Sequence, residues 1–206
     1  LLDLKGEVNP FTRPRRFGKT LNLSMLRYFF EDTGSDVENA RNRELFQGLK
    51  IMDAGGAYTN RMGTCPVINL TLKSAKQDTF ESAYGKLREA IAEEFERHCE
   101  VLENDGINEE SKQLFREISS GTAGYDAYSG ALKFLSKCLY QATGAQVVVL
   151  IDEYDVPLEN AYFKGFYDKM VGFIRSLFES VLKTNDYLQF AVISGCLRIS
   201  KESIFT

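Results

Sequence analysis

The chain has 206 residues, is 44% hydrophobic and carries a net charge of −4. That suffices for one sizeable core and is too short for two comfortable domains. With no charged-then-apolar leader and no apolar run near the roughly 20 residues that span a bilayer, a soluble cytoplasmic fragment of a longer protein is expected, with no membrane partner. The cysteines, Cys65, Cys99, Cys138 and Cys196, form no C-x-x-C pair, and His98 alone could join them. This argues against zinc and for reduced core thiols. A catalytic His98–Cys99 pair is set aside, since lone residues of these types usually pack.

Residues 1–12 should hold the first strand, yet they offer only Val8 and Phe11 around Asn9-Pro10. Proline removes a ladder donor, which predicts a strand that is short, irregular or at a sheet edge. Residues 21–30 form an apolar, helix-compatible run. Residues 31–58, punctuated by Asp32-Thr-Gly-Ser35 and Gly55-Gly56, predict short helices and loops. Residues 65–72 have the β-branched pattern of a core strand. Residues 79–103 predict a long amphipathic helix, with Phe80, Tyr84, Leu87, Ile91 and Phe95 as an apolar stripe against the sheet. Helices follow over residues 108–118 and 127–141, a buried strand over 147–151, a helix over 166–183 and a buried strand over 188–194. Strands alternating with helices predict a parallel sheet covered on both faces.

Three stretches carry chemistry. In Arg13-Pro-Arg-Arg-Phe-Gly-Lys-Thr20, a Gly-Lys-Thr triplet stands just before a helix, as at the end of a phosphate-binding loop. The strict pattern G-x-x-x-x-G-K-[ST] fails at its first position, where Arg13 stands. What remains is the part that meets phosphate. Gly18 lets the backbone approach, Lys19 can bridge the β- and γ-phosphates, the Thr20 hydroxyl can ligate Mg2+, and the amides of residues 16–20, those of Arg16 and Phe17 among them, complete a cradle. Gly-Lys-Thr alone is common at helix starts. Arg13, Arg15 and Arg16 beside Lys19, however, would repel one another without an anion nearby. Residues 1–30 hold six cations against two acids in a chain that is acidic overall. That balance suits a small anionic ligand better than a nucleic-acid track.

The second stretch is Val147-Val-Val-Leu-Ile-Asp-Glu-Tyr-Asp155. In a parallel sheet ligands sit beyond the carboxyl ends of the strands, which is where Asp152 and Glu153 fall. Asp152 would hold Mg2+, and Glu153 would polarise the water that attacks the γ-phosphate. The bland alternative is a cap and surface turn before Pro157. The third stretch is Ser194-Gly-Cys-Leu-Arg-Ile-Ser-Lys201. Ser194 stands where a polar sensor could touch the attacking water or the γ-phosphate. Arg198 and Lys201 could add transition-state charge or serve as surface charges.

These three strings, extended to residues 11–26, 149–158 and 194–205, resemble the bacterial AAA-ATPase-like family of P-loop ATPases. Arg-Pro-Arg-Arg-Phe-Gly-Lys-[Ser/Thr] is that family's own phosphate loop, so Arg13 becomes an expected feature. The resemblance implies ATP as ligand, a P-loop three-layer α/β sandwich with a parallel sheet of the additional-strand type, and a chain cut at both ends. An upstream segment and a C-terminal lid or restriction-nuclease-like region would be absent. Pro10 departs from the apolar strand residue usual there.

Residues 1–206 are therefore expected to form one P-loop ATPase core, with the strand over 188–194 lying between the phosphate-loop strand and the Asp152 strand. The alternative is a nucleotide-dependent switch or assembly module with little hydrolysis, serving an attached effector domain or self-associating so that a second subunit supplies an arginine finger. Direct nucleic-acid binding is disfavoured by the acidic body.

Overall fold

The computed structural model describes residues 8–183 and 185–196. Their strands form one parallel sheet in the order β1-β4-β3-β2: β1 (Val8–Thr12), β4 (Leu188–Gly195), β3 (Val147–Asp152) and β2 (Val67–Thr71). The 188–195 strand thus separates the strand before the phosphate loop from the strand that ends in Asp152, as expected. β1 lies at the edge of this sheet yet is regularly paired, with Pro10 opposite Ile193. An edge strand tolerates proline because its outward side needs no ladder donor.

Alternation along the central strands builds two cores. Val148 and Leu150 of β3 and Val192 of β4 face a cluster with Leu23, Phe29 and Phe30 of α1 (Lys19–Phe30), joined by Phe46 and Met62. Val147, Val149, Ile151, Ala191 and Ile193 face the larger cluster. It draws on α4 (Phe80–Arg97), α5 (Glu109–Ser119), α7 (Ala131–Thr143) and α9 (Tyr167–Leu182). Burying a Val, Leu or Ile side chain stabilises by about 1.5–3 kcal/mol. All six residues of β3 are buried. This strand is therefore a firm platform for the acids at its end.

Several boundaries differ from the sequence expectation. Residues 31–58 contain α2 (Asp36–Glu44), a 3-10 turn and α3 (Gly56–Thr59), short as expected. The helix expected over 79–103 ends at Arg97, because His98 leaves helical dihedrals at φ −112°, ψ 27°, and a 3-10 turn carries the chain on from Cys99 to Glu103. Gly130 splits the helix expected over 127–141 into α6 (Tyr125–Ser129) and α7. An unexpected helix, α8 (Val156–Lys164), follows the short turn after β3 and carries a proline in its first turn. Proline there is a helix-start signal, so α8 was readable in the sequence.

His98 is structural. Its Nε2 lies 3.2 Å from the Val67 carbonyl and 3.4 Å from Glu94, and its Nδ1 lies 3.6 Å from Glu100. Glu94 accepts from the Asn69 amide at 2.7 Å, and Arg97 binds Glu94, Glu31 and the Val67 carbonyl. α4 thereby caps the outer edge of β2 with charged side chains, which closes it to strand pairing. Cys65 and Cys138 are buried thiols as expected, whereas Cys99 is exposed and Cys196 is half-buried, so neither is a core thiol.

Candidate functional site

The carboxyl ends of the strands gather the motif residues around Asp152. Thr20, the second residue of α1, donates its hydroxyl to Asp152 Oδ2 at 2.6 Å. The Glu153 amide donates to Asp152 Oδ1 at 2.9 Å, and the buried Ser194 hydroxyl donates to the same oxygen. Two segments far from it in sequence, at Thr20 and Ser194, therefore converge on the Asp152 carboxylate.

The loop before α1 curls over Lys19. This side chain is only 8% exposed, and its ammonium donates to the carbonyls of Arg13 (2.9 Å) and Pro14 (3.0 Å) and to Cys196 Sγ (3.3 Å). Left-handed backbone at Arg16 (φ +70°) and Gly18 (φ +69°) makes the bend. Such turns aim successive amides into a concavity that suits an anion. Gly18 is the N-cap of α1 without a side-chain cap, and the first turn holds no acid. The positive helix end is left for a ligand.

A cleft of about 850 Å³ opens here, lined by Arg15, Arg16, Gly18, Lys19, Thr20 and Glu153 among others. Arg15 reaches across to Glu159 of α8 at 3.8 Å. Phe17 is 63% exposed, so what it offers the loop is its backbone. Arg198 and Lys201 lie outside the described residues. Among the described residues no group of three or more His, Cys, Asp and Glu side chains could hold a metal. Thr20 and Asp152 nevertheless suit a magnesium ion, which takes hard oxygen ligands and fills its remaining positions with substrate phosphates and water.

Residues 1–205 match a protein family described as predicted AAA-ATPase. The chain belongs to the AAA-ATPase-like family. An uncharacterized protein in the vnfD 5′ region of Azotobacter chroococcum mcd 1 is 26% identical over 196 residues. That alignment takes in 95% of this chain and 31% of the relative, so the chain spans about a third of that protein's length. No solved structure matches it.

In this AAA-ATPase-like chain the fold also brings to the cleft residues that sequence reasoning passed over. Asp155, quoted above only as part of a motif, is buried, lines the cleft and accepts from the Cys196 amide at 2.8 Å. The Tyr154 amide donates to the Ser194 carbonyl at 3.1 Å, so the turn after β3 is laced to the end of β4. Gly195 permits that lacing: a Cβ there would lie 2.6 Å from Tyr154 Cε1 and 2.8 Å from Asp155 Oδ1. Lys73 and Lys76, from the turn after β2, line the opposite wall. Nothing in their local sequence marks them, because only the strand order brings that turn beside Glu153.

Proposed function

We propose that the chain is the core of an ATPase domain of the additional-strand type, binding ATP with Mg2+ and hydrolysing it by attack of water on the γ-phosphate. The single observation that carries this reading is the Thr20–Asp152 hydrogen bond, with Lys19 held under the phosphate loop beside it. A helix-start hydroxyl, next in sequence to a loop lysine, meets a strand-end acid, and this arrangement supports a nucleotide site.

On this reading Lys19 and the loop amides, with Arg15 and Arg16, stabilise charge on the phosphates. Thr20 and Asp152 would hold Mg2+, whose contribution when bound is to neutralise phosphate charge. Ser194, through its bond to Asp152, fixes the orientation of that carboxylate and is a positioning residue. Glu153 lines the cleft one residue beyond Asp152, where its carboxylate orients water and takes up its proton. Glu153→Gln should keep ATP affinity while phosphate release falls by about 10²–10⁴-fold. Phosphate release unchanged in that variant would remove Glu153 from its role.

A further inference from the structure

The cleft has a second cationic wall. Lys73 and Lys76 sit on the turn between β2 and α4, across Glu153 from the phosphate loop, and both are exposed to the cleft. Neither side chain has an acidic partner among the described residues, although Lys73 to Asp78 is a firmly held segment. At its start the Leu72 amide donates to the Asp152 carbonyl at 3.0 Å, which ties the turn to the strand end that carries the acids. At its far end the half-buried Gln77 accepts, through its carbonyl, from the side chain of Asn160 in α8, and Lys164 pairs with Asp78 at 2.6 Å. The backbone is thus fixed from both sides while two ammonium groups are left uncompensated. The cations that line this cleft are Arg15, Arg16, Lys19, Lys73 and Lys76, against the acids Glu153, Asp155 and Glu159. Arg15 is already engaged by Glu159. Like charges gathered around one concavity repel, unless a polyanion enters it.

We propose that Lys73 and Lys76 contact the terminal phosphate of the bound triphosphate from the side opposite Lys19, so that the chain supplies in cis part of the charge stabilisation that a second subunit's arginine would otherwise bring. Asn160 is the positioning residue for this wall. The inference rests on the nucleotide reading above, and goes further by assigning two residues that distinguish triphosphate from diphosphate. Preorganised donors of this kind act most strongly where charge develops as the γ-phosphate departs.

The test compares the parent with Lys73→Met, Lys76→Met and the double variant, which keep the aliphatic stems, and with Lys50→Met as a control for net charge. ATP and ADP affinities are titrated with magnesium, and single-turnover phosphate release is followed at several protein concentrations. The double variant should lose about tenfold or more in ATP affinity relative to ADP, with about 10²-fold slower phosphate release, whereas Lys50→Met changes neither. Asn160→Leu should lower the release rate with little effect on ADP affinity, because it loosens only the turn. If the parent discriminates ATP from ADP and hydrolyses ATP while the double variant does so equally well, this inference is overturned and the nucleotide reading stands. Release that depends on protein concentration and is insensitive to both lysines would overturn it in favour of a partner's cation. A parent that binds neither nucleotide overturns both.

Discussion

Arg16 and Glu153 have φ angles of +70° and +53°, and among the described residues no other non-glycine has a positive φ. A Cβ makes left-handed backbone cost about 1–2 kcal/mol, so glycine would suit both positions better. Strain of this kind persists where the surroundings impose it, and both residues line the cleft. Glu153→Gly should accordingly keep or gain stability, by up to about 1 kcal/mol in urea unfolding, while phosphate release is lost. A variant that instead unfolds more easily would make Glu153 a structural residue. Gly195 is the converse case, where close approach leaves no room for a Cβ. Gly195→Ala should cost about 1–3 kcal/mol in the same measurement, since Tyr154 and Asp155 must shift to admit it. Lys19, Thr20 and Asp152 were legible in the sequence because loop and strand-end chemistry is local. The positions of Asp155, Gly195 and the turn lysines at the cleft were not, since each depends on which strand ends lie side by side.

The edge of β2 shows how an element is secured by side chains of its neighbour. α4 and the His98 that ends it bring Glu94, Arg97 and the His98 ring to the Asn69 amide and Val67 carbonyl, with Glu31 and Glu100 completing the charged set around them. Burial alone would lower the His98 pKa, but hydrogen bonds to Glu100 and Glu94 outweigh it and raise it above the ordinary 6.5. Protonated His98 therefore favours the folded state: its contribution is complete below 6.5 and is lost as pH rises through the raised folded value. Burial would raise Glu94, but hydrogen bonds from His98 and Arg97 hold it below its ordinary 4.5. Its contribution is complete above 4.5 and is lost as pH falls through the depressed folded value. Urea midpoints across pH should thus fall on both sides, and His98→Gln should flatten the alkaline limb and shrink the acid limb without abolishing it, since Arg97 still binds Glu94. An alkaline limb unchanged in that variant would sink the assignment. β3 and β4 were legible because their apolar patterns are short and continuous, whereas β1 (Val8–Thr12) offers only two apolar side chains around Asn9-Pro10. Helix ends were less so: His98 stops α4 through a tertiary contact, and Gly130 splits a periodic stretch, whereas α8, marked by the proline in its first turn, follows acids that drew attention for their chemistry.

At the scale of the whole molecule, the parallel sheet with helices on both faces followed from the alternation of strand and helix patterns. The position of β4 between β1 and β3 was implied by family likeness and not by any local pattern. That order brings Thr20, Asp152 and Ser194 together at the carboxyl end of the sheet and leaves the cleft between the loop before α1, α8 and the turn after β2. A ligand that binds only the folded chain stabilises it by mass action, by about 2.7 kcal/mol at one hundred times its Kd. ATP with magnesium should therefore raise the urea midpoint of the parent and not that of Thr20→Ala. The most direct test is a calorimetric titration of ATP with magnesium into the parent and into Lys19→Met, with folding of both verified by circular dichroism. Saturable binding by the parent is expected, weakened when magnesium is withheld, with at least about tenfold weaker binding by Lys19→Met. Equal binding by the two folded proteins, or none by the parent, would contradict the nucleotide reading.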